Sequence, residues 1–145
     1  MGTSYSAIPV DEEAATWLRS KNLPLPDSFG LPASNDQLRE VLQSFDDYVV
    51  SIVQTNDGWD AEITGNTIDG LKGYTTMWVR LTGSDGRCTY HFHKGWPEIA
   101  IQVLHRIALI AGPQLFVPHD TGEPVVVDAN STMDDTIAAL RATYR

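Results

Sequence analysis

The sequence predicts an α+β fold: one domain spanning 1–145, with a mainly antiparallel sheet of about six strands packed against about four helices and an apolar helix near 97–111 at its centre. Three observations carry that prediction. From Tyr48 to His93 the apolar residues recur with period two, and Gly, Asn and Asp collect at the breaks. Segments of helical period lie on either side of this stretch, so helices and strands are segregated rather than strictly alternating. Finally, 145 residues, 42% of them hydrophobic, suffice to bury one core, with no repeat or low-complexity linker to divide the chain.

Asp11 is the expected N-cap of a first helix reaching about Lys21, with Ala14, Trp17 and Leu18 on one face. Pro24, Pro26 and Pro32 exclude a helix over the segment that follows, which is expected to be an extended loop. A second helix starts at Ser34, because Ser34 and Gln37 form a capping box ahead of Leu38, Val41, Leu42 and Phe45. Both helices are expected on one side of the sheet.

Four strands follow in two hairpins. Residues Tyr48 to Asn56 and Trp59 to Thr64 flank Asp57-Gly58, read as a two-residue turn. A glycine-rich loop, Gly65 to Gly73, leads to the second hairpin, in which Tyr74 to Thr82 and Arg87 to His93 flank Gly83 to Gly86. Pro97 opens the apolar helix and Gly112-Pro113 stops it; only Glu98, Gln102, His105 and Arg106 form a polar stripe. Two short strands, Leu115 to Val117 and Val125 to Val127, precede a last helix that starts near Ser131 or Thr132, with Asp134 and Asp135 in its first turn.

Pairing the second hairpin so that Thr82 meets Arg87 sets Leu81 against Cys88, Val79 against Tyr90 and Met77 against Phe92 on a core face. The opposite face then carries Arg80 with Thr89, Trp78 with His91, and Thr76 with His93, and a one-residue slip would invert both sets. In the first hairpin Trp59, Ala61 and Ile63 face the core, while Asp60, Glu62 and Thr64 share the other face with Thr55, Val53 and Ser51. If the hairpins are neighbours, Asp60, Glu62, Trp78, Arg80, His91 and His93 gather on one surface. That surface is either a partner-binding face, since Trp and Arg are frequent anchors, or one covered by a helix or loop of the chain.

Several classes of function lose support. Nineteen acidic against ten basic side chains give a formal charge of −9, which repels phosphate backbones and anionic lipid and favours a basic protein partner over nucleic acid or membrane. No secretory signal and no long apolar span are visible, so the cytoplasm is the expected compartment. Cys88, the only cysteine, excludes an internal disulfide and a multi-thiolate metal site, and its predicted inward position makes it a structural thiol. No phosphate-binding loop, dinucleotide fingerprint, nucleophile elbow or zinc-protease helix occurs, and no cofactor is implied. The alternative chemistry is a metal site on His91 and His93, which alternate on a strand, with Asp60, Glu62, His105 or the His119-Asp120 pair as a third ligand in a metal-assisted hydrolase or transferase.

In size, acidity and helix–sheet–helix plan the chain resembles the small α+β immunity proteins that neutralise bacterial toxins. The resemblance implies a stoichiometric inhibitor that presents acidic and aromatic groups to a basic toxin surface and acts by occlusion. A small-molecule sensor or a structural homodimer, using the face around Trp78 or an exposed sheet edge, is a further expectation.

Overall fold

A computed structural model describes residues 4–23, 25–66, 70–82, 86, 88–119 and 123–142. In chain order the elements are β1 (Ser4–Pro9), α1 (Glu12–Ser20), α2 (Asn35–Gln43), β2 (Val49–Gln54), β3 (Gly58–Asn66), β4 (Lys72–Leu81), β5 (Cys88–Gly95), α3 (Pro97–Ala111), β6 (Gln114–Pro118), β7 (Val125–Val127) and α4 (Met133–Ala142). The strands form one fully antiparallel sheet in the order β2-β3-β4-β5-β1-β6-β7. The α+β class and the antiparallel sheet are as the sequence predicts, with seven strands rather than six.

The additional strand is β1, in a segment to which the sequence analysis assigns no element. It lies between β5 and β6, with Ser6 opposite His91 on one side and Val117 on the other. Tyr5 and Ala7 are buried while Ser4 and Ser6 are half-buried on the opposite face, a period-two pattern that three small or hydroxylated side chains make weak. A central strand near the N-terminus is also a non-local pairing, which no local signal announces.

The two-layer core sits between the sheet and α2, α3 and α4. Met77, Val79, Tyr90, Phe92 and Phe116 from the sheet meet Ile99, Ile101, Leu104 and Ile107 of α3, all buried. Each such side chain contributes roughly 1.5–3 kcal/mol relative to exposure. The polar residues of α3 tie it to its surroundings. Glu98 accepts from Arg141 at 2.8 Å, His105 meets the Ser131 carbonyl at 3.1 Å, and Arg106 donates to Ser44 at 2.8 Å and lies over the Phe45 ring. Gln102 accepts from the Tyr48 hydroxyl. The helix is less uniformly buried than its composition indicates, because Leu109 and Ile110 in the last turn point to solvent.

The helix caps form as expected. Asp11 accepts from the Ala14 amide at 2.9 Å, and Ser34 and Gln37 complete both arms of a capping box. The shared location of the first two helices is corrected. Val10, Ala14 and Leu18 pack with Leu115 in a separate cluster, whereas α2 packs against the main core with Phe116. Leu115 and Phe116 are consecutive on β6 and point to opposite faces, so α1 and α2 lie on opposite sides of the sheet.

The turn of the first hairpin lies one residue earlier than expected. Thr55 donates to the Gly58 carbonyl at 2.9 Å, so Asn56-Asp57 are the turn residues and Asp60 lies opposite Val53, Glu62 opposite Ser51. The pairing differs by two positions from an Asp57-Gly58 turn, which leaves every side chain on its expected face. The predicted loop Gly65 to Gly73 is shorter, because Gly65 pairs with Gly73 and Asn66 with Lys72 inside the ladder. Within the Gly83 to Gly86 and His119 to Pro124 connections, residues 83–85 and 120–122 lie outside the described residues, as does Arg87. Among the described residues no helix is long and apolar enough to cross a membrane.

Candidate partner-binding face

The second hairpin adopts the predicted register: Val79 with Tyr90 and Met77 with Phe92 are inside, and Arg80 with Thr89, Trp78 with His91, and Thr76 with His93 are outside, while Leu81 pairs with buried Cys88 as expected but, at the strand end, is 45% exposed rather than in the core. Because β3 and β4 are neighbours, Asp60 stands opposite Trp78 and Glu62 opposite Thr76. All six predicted residues therefore share one sheet face. On that face α1 packs over β6 and β7, and the part formed by β2, β3, β4, β5 and β1 is partly open among the described residues: Trp78, Arg80, Asp60, His91 and His93 are half-buried and Glu62 is exposed.

At the centre, the Trp78 indole stacks on His93 with centroids 4.4 Å apart and planes 19° apart, and meets His91 edge-on at 4.8 Å. Arg80 is held beside it. Its Nη1 donates to Asp60 at 2.8 Å and to the Val79 carbonyl at 2.9 Å, its Nε is 3.5 Å from Asp57, and its guanidinium is 6.0 Å from the indole centroid. These contacts order both long side chains before any partner arrives, which lowers the entropy lost on association.

Two further members, Ser4 and Ser6, carry no functional signal in the sequence, and His119, a candidate third metal ligand there, joins the cluster through Ser6 instead. Ser4 Oγ lies 2.9 Å from Nδ1 of His93, and Ser6 Oγ lies 2.6 Å from Nε2 of His119. The placement of β1 brings them there, and the only advance signal is the alternation of Ser4 and Ser6 with Tyr5 and Ala7. Burial lowers the pKa of His91, and the nearby His119, Arg80 and His93 lower it further against a partial counter-effect of Asp60. These effects favour the neutral form of His91.

The same face continues into a groove of about 520 Å³ between α1 and the sheet, floored by Ile8, Ala14, Leu115 and Val117 and edged by Trp17, Asp11 and Glu13. Trp17 is thus half-exposed at the groove rather than on the buried side of α1, where Ala14, Ala15 and Leu18 sit. Carboxylates flank the aromatic centre on both sides, Asp60 and Glu62 on β3 and Asp11 and Glu13 by α1.

As metal ligands, His91 and His93 have Trp78 packed against both rings, and His93 already engages Ser4. Among the described residues no three His, Cys, Asp or Glu side chains come together in a way that could hold a metal ion. His105 is on α3, bonded to Ser131 on the other side of the sheet, and joins no such group. Cys88 is buried, and burial pushes its thiol pKa up, which makes it a poor nucleophile. The chain matches no protein-family model, no curated protein and no solved structure.

Proposed function

We propose that the chain is a protein-binding module, an immunity-type inhibitor that neutralises a basic partner by occluding its surface. The observation that carries this reading is the partly open sheet face, where a partly exposed Trp78 is braced by His93, His91 and Arg80 and flanked by carboxylates. Aromatic and Arg side chains that are already ordered are the residues on which binding energy concentrates. Acidic groups around them raise the association rate for a cationic partner, in line with a formal charge of −9.

Affinity capture from the native host with the purified chain, followed by mass determination of the complex, tests the proposal. It expects one basic protein in a fixed stoichiometric ratio, lost with Trp78→Ala and weakened with Glu62→Lys. Glu62 is preferred to Asp60 for charge reversal, because Asp60 also holds Arg80. Capture that persists unchanged in both variants, or no capture at all, overturns it.

A further inference from the structure

The strand β2 is the outermost on one side of the sheet, so among the described residues one row of its backbone groups has no strand beside it. The bond from the Thr55 amide to Gly58 fixes which row that is. Hydrogen-bonded pairs alternate along an antiparallel ladder, so Ser51 and Val53 bond towards β3, while the N–H and C=O groups of Val50 and Ile52 point outward. Sheet edges in monomeric proteins are usually blunted by a charge, a proline or a bulge. The stretch Val49–Gln54, Val-Val-Ser-Ile-Val-Gln, contains no charged residue and no proline, and its pairing with β3 runs through six positions without a register shift. Val49 and Val53 are exposed by 71% and 61%.

The sequence of this edge is nearly palindromic about Ser51: valine, valine, serine, isoleucine, valine. We infer that β2 is a docking edge for a second copy of this chain, the two strands pairing antiparallel about a two-fold axis at Ser51. In that register Ser51 faces Ser51, Val49 faces Val53 twice, and Val50 faces Ile52 twice. The outward groups of Val50 and Ile52 form the hydrogen-bonded pairs, and Ser51 falls at a pair without hydrogen bonds, as the alternation demands. Because the axis is perpendicular to the sheet, every side chain stays on its own face, which is the condition for one sheet to continue through both copies.

The helix side and the ends of the edge suit this occupant. On the helix side, an open cleft of about 390 Å³ lined by Leu42, Gln43, Phe45, Tyr48, Val50 and Ile52 borders the strand. The Val50 and Ile52 side chains of the second copy extend the row formed by Val50 and Ile52 at its floor. The net negative charge opposes association, but the strand ends are complementary. Arg39 donates to Gln54 at 3.2 Å, and two-fold pairing sets Gln54 opposite Tyr48 of the second copy, next to Asp46 and Asp47. The dimer does not depend on the occlusion proposal. It doubles the open face by setting two copies of the Trp78 cluster on one side of a continuous sheet.

The test uses the full chain. Sedimentation between about 1 and 100 µM, the range that separates a weak dimer from a monomer, is expected to show the mass rising from 16.0 kDa towards twice that value. Ser51→Cys places two thiols where the Cα atoms approach to about 4.5 Å, within the span of a disulfide. A glutathione redox buffer should therefore trap a covalent dimer. Val53→Cys, which faces Val49 rather than itself, should trap at least about tenfold less, and Ser51→Lys should weaken the dimer at least about tenfold with unchanged circular dichroism. A wild-type chain that stays monomeric at about 100 µM overturns the inference. So does a dimer in which Val53→Cys crosslinks as well as Ser51→Cys. Ser51→Lys should still be captured by a partner of the Trp78 face, which separates failure of the dimer from failure of the occlusion reading.

Discussion

Replacing Trp78 by alanine separates an anchor from a core residue, and the structure sets the magnitude. The indole makes two aromatic contacts, with His93 at 4.4 Å and His91 at 4.8 Å. Each is worth about 0.5–1.5 kcal/mol beyond area burial, and the side chain is only partly buried, so truncation should cost about 2 kcal/mol. For a chain of this size that corresponds to a fall in Tm of about 4–8 °C, well within a typical stability of about 5–15 kcal/mol. Trp59→Ala is the contrasting case. Trp59 is 1% exposed and its indole N–H donates to Asn35 at 2.6 Å, so its loss should cost about 3–5 kcal/mol. If Trp78 is an anchor, its truncation should also weaken capture by at least about 2 kcal/mol, roughly 30-fold in Kd. Thermal melts by circular dichroism and binding by calorimetry measure the two effects. The reasoning fails if Trp78→Ala unfolds as Trp59→Ala does, or if the folded variant binds within about threefold of wild type.

Three other outcomes are expected. His91 has a pKa below that of a free imidazole, so the unfolded chain takes up its proton first; stability is full above about pH 6.5 and declines as pH falls through that value towards the folded pKa. Urea unfolding between pH 8 and 5 should show a steeper loss for wild type than for His91→Gln, and parallel curves would remove His91 as a cause. Tyr90→Phe leaves the buried Gln114 carbonyl without its 2.7 Å donor while Gln114 still serves Leu31 and Gly112, and should cost about 1–3 kcal/mol in the same assay. Gly95→Ala should cost more than about 2 kcal/mol, because Gly95 has φ +84° and a Cβ there would lie 2.0 Å from the Tyr74 carbonyl oxygen. A variant as stable as wild type would show that the bulge at Lys94 and Gly95 does not set the entry into α3.

The sequence by itself determined the class, the helix caps and the side of the sheet on which each hairpin residue lies. These follow from local physics: a capping box closes within four residues, and an alternating strand can bury only one of its two faces. For that reason the outward set Asp60, Glu62, Trp78, Arg80, His91 and His93 was legible, and even an error in the position of the first turn left it intact. Tertiary structure alone decided what surrounds that set. The insertion of β1 between β5 and β6 brought Ser4, Ser6 and His119 to the histidines, the passage of α1 to the opposite side from α2 left the face partly open, and the strand order made β2 an edge. Each of these depends on contacts between segments far apart in the chain, and such contacts are selected by the closure of the whole core rather than by any local pattern of residues.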